Sequence, residues 1–404
     1  MTSFPRFFRF VAIAHLSLLC LVGAVMITTT AAAAEPLKVG VVGLTHGHVK
    51  GFLRRAAAAE QVQLVGVAEA DPALAAEYAE SFGFAPAIVY PDVASMLNSA
   101  KPEAVVVYTQ TSDYPEIVKA CAQQGVHVML EKPLAISLAK AREIEAAAKS
   151  GKIQVLVNYE TNWMPSLAAA HSMIFDQEAI GQVRKIEVQI GHQGPIAIGS
   201  TPPQFVDWLG DPAAGGGTLL DFGSYAACIT SWLLDGERPK SVYCLNQQLQ
   251  PADYPDVEDE TTIILAYDEA VAILQGSWNS PTDRKDVQVY GEYGYVKTLQ
   301  QKQIELMVEG MDPETMPADE PEAPEQDQIA YLFAVVRNGL TPQGRPALQH
   351  NLLVMEILEA AMESAKTGKA RCRNQLRPQG DPPGGDPLWP PAHSKSPRSP
   401  SVRP

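Results

Sequence analysis

The feature that most constrains this chain is an alternation. Between residues 37 and 157, short apolar runs rich in β-branched residues take turns with stretches of helical periodicity. Strands are expected at 37–42, 62–68, 86–90, 104–109, 126–130 and 153–157. Several of them, such as AVVVYT and VHVML, are apolar at successive positions. A strand with no polar face is buried on both sides, as at the centre of a parallel sheet. Segments 71–83 and 136–151 open with helix-start residues and close on glycine, the usual stop. Alternating strands and helices predict a doubly wound α/β sheet over residues 35–157.

After residue 158 the rhythm changes. Longer runs alternate apolar and polar positions: VRKIEVQIGH, SVYCLNQQLQ, TTIILAYD, AVAILQGSW, DVQVYG and QIELMV. One glycine-led helix, over about 218–234, sits among them. This predicts an α+β domain over 158–370, with a mostly antiparallel sheet that leaves one face open. An acidic, proline-rich loop at 312–327 precedes two helices, the second within 347–368. Residues 371–404 are rich in Pro, Gly and Ser and read as a disordered tail. A chain of 404 residues with 46% hydrophobic and 19% charged residues has enough material for two soluble cores. Its net charge of −15 disfavours nucleic acid and anionic membrane surfaces as partners.

The first 34 residues read as a separate unit. Arg6 and Arg9 precede an apolar run over 11–27, and an A-x-A site ends at Ala34. This is the pattern of a cleaved signal peptide, so export to the periplasm or beyond is expected, with no membrane attachment afterwards. The alternative is a retained anchor; the run falls short of the roughly 20 residues a span needs, and His15 and Ser17 interrupt it. Cleavage leaves Cys121, Cys228, Cys244 and Cys372, with no paired spacing, which read as buried thiols.

Three stretches carry candidate chemistry. The first is GLTHGH, directly after the first strand. A dinucleotide loop there reads G-x-G-x-x-G; here Gly43 keeps the tight turn, but Thr45 and His48 stand in place of the second and third glycines. Gly43, Thr45, His46, Gly47 and His48 are therefore candidate cofactor contacts, at the start of a helix whose N-terminus suits a pyrophosphate. Glu69 ends the second strand, where an acid holds ribose hydroxyls and would repel a 2′-phosphate, so NAD is favoured over NADP. Two histidines alone do not make a metal site, and no Cys or carboxylate stands at ligand spacing beside them, so no metal is expected. A purely structural role for the histidines stays open.

The second stretch is HVMLEKPLA, which places Glu131 and Lys132 at the carboxyl end of a strand, where open α/β sheets bind ligands. A surface lysine in a salt bridge is the plain alternative. The third is GGGTLLDFGSYAAC. Its glycines permit close approach to a helix N-terminus, and Asp221 and Tyr225, four apart, share a helical face. A phenol takes a proton from an alcohol at neutral pH only if a cation such as Lys132 lowers its pKa from about 10. The alternative is a carboxylate favoured by the helix dipole beside a packed tyrosine.

Together, EKPLA, GGGTLLDFGSY, NYETNWMPS and VYGEYGYVK resemble the Gfo/Idh/MocA family of sugar and polyol oxidoreductases, over residues 37–368. The resemblance implies a Rossmann domain joined to an α/β domain whose open sheet covers the substrate and forms a homo-oligomer interface. It implies NAD or NADP and hydride transfer at a sugar or polyol carbon. By position, Lys132 is the lysine of the EKP motif, and Asp221 matches the family aspartate. Tyr225 stands where many members have the catalytic histidine, as in the glucose–fructose oxidoreductase and dihydrodiol dehydrogenase branch. Cys228 replaces a further acid, and Tyr114 a common histidine. Thr109 and Thr111 fall in the loop that lines the nicotinamide side.

Three readings follow: an exported oxidoreductase with a tightly held nicotinamide cofactor, a glycosidase acting by transient NAD-dependent oxidation, and a sugar-binding module that kept the fold alone. Lys132, Asp221 and Tyr225 favour the two enzymes; the departures in the loop favour the module.

Overall fold

β1 (Leu37–Val42) is the strand about which the first sheet is wound. It pairs in parallel with β2 (Val62–Ala68) on one side and β4 (Ala104–Val107) on the other. With β3 (Val89–Tyr90), β5 (His127–Glu131) and β6 (Val155–Asn158) the order is β3-β2-β1-β4-β5-β6. The order reverses at β1, which leaves a crevice beyond the carboxyl ends of β1 and β4. The intervening helices are α1 (Val49–Ala58), α2 (Pro72–Phe82), α3 (Val93–Ala100), α4 (Tyr114–Gln123) and α5 (Leu138–Gly151). The computed structural model describes residues 35–198 and 202–372. The expected signal peptide and nearly all of the expected tail lie outside the described residues.

Local chemistry accounts for the element ends. Asp71 caps α2 by accepting from the Ala73 and Leu74 amides, Pro72 begins it, and Gly83 closes it at φ 73°. Ser137 caps α5 through the Lys140 amide. The glycine expected to stop α5 is instead its last helical residue, and Lys152 takes the left-handed cap. Packing explains Gly151: a Cβ there would come within 2.5 Å of the Ala122 carbonyl oxygen. The strand expected at 86–90 shortens to two residues because Pro86, which has no amide proton to give a ladder, opens a 3₁₀ turn.

The second sheet has nine strands: β7 (Val183–Gly191), β8 (Ser241–Gln247), β9 (Glu260–Ala266), β10 (Val271–Ser277), β11 (Arg284–Gly291), β12 (Gly294–Leu299), β13 (Gln303–Val308), β14 (Glu314–Pro317) and β15 (Arg371–Cys372). Their order is β14-β13-β12-β11-β7-β10-β9-β8-β15, and only β7 and β10 run parallel. The α/β plus α+β architecture is the one expected. β15 corrects the start of the tail, since Arg371 and Cys372 pair with Val242 and Ser241. α6 (Pro165–Phe175) packs on β12 and β13, while α9 (Thr218–Leu233) and α11 (Leu348–Thr367) cover β7 to β10. The opposite face exposes Tyr243, Leu245 and Ile264. α7 (Pro195–Ile198) and α8 (Pro203–Leu209) follow β7.

α10 (Gln328–Arg337) comes late in the chain but packs with the first sheet. Its Ile329, Leu332 and Val335 share a core with Val39, Phe52 and Met129. The chain also returns to the edge of β6, where Val157 donates to the Pro346 carbonyl. Cys121, Cys228 and Cys244 are buried thiols; burial pushes the first two up to about 12 and the third to about 11. Cys372 is exposed.

Gly43 sits at the crevice with φ 79°. A Cβ there would lie 2.5 Å from Thr109 Cγ2 and 2.9 Å from the Thr109 amide nitrogen. Gly43→Ala should therefore lose about 2 kcal/mol or more of stability, from left-handed strain plus the clash. A urea melt checks this, and an unchanged midpoint would show that the turn accommodates a side chain.

Candidate active site

β5 runs directly into Glu131 and Lys132, and the Lys132–Pro133 bond is cis. Lys132 thus leaves the sheet at its carboxyl edge, almost fully buried. α9 approaches from the other sheet. Gly215 and Gly217 both have φ 94°. What these glycines admit is a side chain: a Cβ on Gly217 would lie 2.5 Å from Glu258 Oε1, and that oxygen accepts the Leu219 amide at 2.9 Å. The expectation that a ligand occupies this helix end gives way to Glu258 in its place.

One turn into α9, Asp221 meets Lys132. Lys132 Nζ donates to Asp221 Oδ1 in a short ion pair, and Trp278 Nε1 donates to Asp221 Oδ2 at 2.9 Å. Burial raises the Asp221 pKa, but the Lys132 charge, His192 and the two hydrogen bonds outweigh it, so the carboxyl lies below its usual range. One turn further, Tyr225 is buried, with Lys132 Nζ 5.1 Å from its ring centre and the Tyr159 ring edge-on at 5.1 Å. The three residues singled out in the sequence are therefore neighbours. Their electrostatics differ from expectation. Burial first, and then the charges of Glu131, Glu160 and Asp221, push the Tyr225 phenol well above its ordinary value. Lys132 lies over the ring and is paired with Asp221, so it does not lower the phenol.

Glu131 is fully buried beside this pair. Its Oε2 accepts from Asn158 Nδ2 at 3.1 Å, and its Oε1 lies 3.1 Å from His48 Nδ1. Trp163 Nε1 in turn donates to Asn158 Oδ1 at 2.9 Å. In the loop, Thr45 Oγ1 donates to the Tyr108 carbonyl at 3.1 Å. Gly47 and His48 form the turn that enters α1. His46 is buried against His48, Phe205 and Trp208, with centroids at 4.6, 4.8 and 5.5 Å. Glu69 spans the crevice edge, accepting the Leu44 amide at 2.8 Å and the Asp71 amide at 2.9 Å. Thr109 packs against Gly43, and Thr111 is buried at the start of the next turn.

His46, His48 and Glu131 bring three donor atoms within 4.8 Å of one another. The carboxylate absent from local spacing thus arrives from another strand. His46 is held neutral, its pKa well below normal through burial and then the charges of His48 and Lys132. Its Nδ1 accepts the His48 amide at 3.1 Å, so the ring proton sits on Nε2. Its Nδ1 lone pair is thus engaged in the loop's own hydrogen bond.

Four residues near the pair were not among the expected ones. Trp278 follows β10 and His192 follows β7; the pairing of Ser277 with Gly191 sets them side by side. The His192 ring stands edge-on to Phe222 at 4.8 Å, and its Nδ1 accepts the Gly194 amide at 2.9 Å. Burial pulls its pKa down, against the pull of Asp221 and Asp283. Glu160 and Lys285 form a second ion pair at 3.1 Å. The signal available in the sequence was position: His192 and Trp278 each end a strand run, VQIGH and QGSW.

Removing one partner of a buried ion pair leaves the other uncompensated. Asp221→Asn should cost about 3–5 kcal/mol, measured by denaturant unfolding of the purified protein. A loss under about 1 kcal/mol would mean that Lys132 finds water or another acid.

The geometry can be set beside known proteins. Residues 37–159 match the profile described as "Oxidoreductase family, NAD-binding Rossmann fold", and residues 168–297 that of the "GFO/IDH/MocA C-terminal domain". Trans-1,2-dihydrobenzene-1,2-diol dehydrogenase of Sus scrofa is 28% identical over 216 residues, 54% of this chain and 59% of that protein. The Homo sapiens protein of the same name is 27% identical over 205 residues, 51% of this chain and 57% of that protein. The match thus spans a little over half the length of these curated relatives. Among solved structures, an aldose-aldose oxidoreductase from Caulobacter crescentus complexed with glycerol superposes with TM-score 0.71 at 22% identity, over 83% of this chain and 99% of that one. An inositol dehydrogenase homolog complexed with NAD+ from Azotobacter vinelandii gives 0.72 at 21% identity, over 84% and 98%. Those two likenesses concern the fold. The two profiles, which together match more than half of the chain, place it in the Gfo/Idh/MocA family of oxidoreductases, with an NAD-binding Rossmann domain at residues 37–159.

Proposed function

We propose that this protein is an exported enzyme that moves a hydride between a tightly held NAD and a carbon of a sugar, polyol or related hydroxy compound. The observation that carries the reading is the buried Lys132–Asp221 pair beside Tyr225, where the carboxyl end of the first sheet meets α9. The relatives named above as diol and aldose oxidoreductases support the substrate class. The signal-like first 34 residues support export, and free nicotinamide cofactor is scarce outside the cytoplasm, which favours retention through turnover. Tyr243, Leu245 and Ile264, exposed on the open sheet, support pairing with a second copy there.

The residues at the crevice suit NAD. The Gly43 turn packs tightly on Thr109 and keeps the backbone close, and an acid stands at the end of β2. Gly43, Thr45, His46, Gly47 and His48 would hold the pyrophosphate side, Glu69 the ribose, and Thr109, Thr111, Glu131 and Lys132 the nicotinamide side. Bound NAD supplies the hydride acceptor or donor. The protein's own part is to hold the substrate oxygen and move its proton. Lys132, fixed by Asp221 and through it by Trp278, holds that oxygen. Tyr225 exchanges the proton. Because its phenol is held above the ordinary pKa, it carries its proton at neutral pH and serves directly as the acid for carbonyl reduction. For oxidation it must first ionise.

The sign of the pH dependence follows. The ionised fraction of a phenol below its pKa grows tenfold per pH unit, so oxidative kcat/KM should rise about tenfold per unit from pH 7 to 9, while reduction stays flat. Tyr225→Phe should lower turnover by about 10²–10⁴ and remove the rise. An oxidative profile that levels off below pH 7 would hand the proton to His192, whose pKa burial depresses.

Cofactor choice is tested separately. Denaturing the purified protein should release NAD(H), and calorimetry on stripped protein should show NAD binding tighter than NADP, because Glu69 repels a 2′-phosphate. Equal or tighter NADP binding removes that role from Glu69; binding of neither overturns the proposed function.

A further inference from the structure

A cavity of about 330 Å³ lies between the turn after β6, the C-terminal end of α9 and the start of α11. It shares no lining residue with the proposed hydride site. Arg345 forms part of its wall and is 7% exposed. The guanidinium donates Nη1 to the Thr161 carbonyl at 2.6 Å and Nη2 to the Asn162 carbonyl at 3.0 Å, and it lies 4.1 Å from the Trp232 ring centre. Among the described residues no carboxylate forms an ion pair with it. Burial pulls its pKa down to about 10, against the smaller pulls of Cys228 and of the exposed Glu325. A buried cation without a counter-ion is costly.

Asn162 on the same wall is 7% exposed and donates Nδ2 to the Val157 carbonyl at 3.1 Å. The cavity therefore presents one cation that lacks an anion. Exposed acids Asp235 and Glu325 stand at its edge. Their charges repel a doubly charged ligand such as phosphate, and Glu325 can accept from hydroxyls.

We propose that this cavity binds a small hydroxy-carboxylate, with its carboxylate on Arg345 and its hydroxyls toward Glu325 at the edge. The proposal is independent of the hydride-transfer reading, because it needs neither cofactor nor turnover.

The probe is D-gluconate, titrated into the purified full chain by calorimetry and by tryptophan fluorescence, since Trp232 touches Arg345. Gluconate should bind one per chain, and glucitol, its neutral counterpart, at least about tenfold more weakly, as a charge-assisted hydrogen bond would be lost. Arg345→Gln should weaken gluconate by a similar factor. Because Arg345 also holds two carbonyls, that variant can fail to fold. Ala168→Leu, on the lining face of α6, fills the cavity with a good helix former and keeps the test decisive. It should lose gluconate binding by at least about tenfold with its melting temperature retained. Gluconate binding unchanged in Ala168→Leu, equal binding of glucitol, tighter binding of inorganic phosphate, or no gluconate binding at all would each overturn the proposal.

Discussion

The ion pair between Lys132 and Asp221 is the contact on which the site depends. It joins the carboxyl end of β5 to the first turn of α9, across 89 residues of chain and between two sheets. Both charges are withdrawn from water, which costs several kcal/mol per ion. The cost is met by matched hydrogen bonds: Lys132 on one carboxylate oxygen and the Trp278 indole on the other. Trp278 is itself fully buried at the end of β10. Three elements thus converge on one carboxylate, and Tyr225 takes its place one helical turn away.

Around this pair lies a set of polar contacts that fixes the loop after β1. Trp163 holds Asn158, Asn158 holds Glu131, and Glu131 meets His48 at the entry to α1. The departure of the loop from the usual glycine pattern is understandable in these terms. His48 supplies a partner for a buried carboxylate, a task that glycine cannot perform. His46 packs under Phe205 and Trp208 from the second half of the chain. The histidines that obscured the fingerprint therefore join the Rossmann loop to its neighbours.

The first sheet was legible because its strands are apolar on both faces, a pattern with few other meanings. Its crossover helices were legible from Asp71 and Ser137. β14 and β15 were not, being four and two residues long, and β12 lies among glycine and charged residues that blur its alternation. α10 could be read as an amphipathic helix, but nothing in such a pattern says which sheet it will cover. Asp221 and Tyr225, four apart, were legible as one helical face, while Lys132 joined them only through the family resemblance, since no local pattern spans the 89 residues between it and Asp221. The direction of the Tyr225 pKa was not legible. It depends first on burial and then on Glu131 and Glu160, which reach the phenol only in the folded chain. His192 and Trp278 needed the register between β7 and β10.

A second ion pair sets the character of the cleft. Glu160, just after β6, meets Lys285 on β11 at 3.1 Å, with Lys285 mostly buried and Glu160 half-exposed. Burial disfavours both charged forms. The Lys285 charge nevertheless holds Glu160 below the usual carboxylate range, and Glu160 with Asp283 holds Lys285 above its own. Both therefore stay ionised near neutral pH. Like Lys132–Asp221, this pair runs from the carboxyl edge of the first sheet to the second sheet's layer. Ion pairs, buried or half-buried, are a weak source of stability compared with apolar packing of the same volume. What two of them do supply is position, since each requires its partners at hydrogen-bond distance. With α10 also returning to pack on the first sheet, the two halves are tied at several points. Such a cleft has its dipoles and charges set in place before a substrate arrives, which is the arrangement that stabilises a developing charge without reorganisation at the moment of reaction.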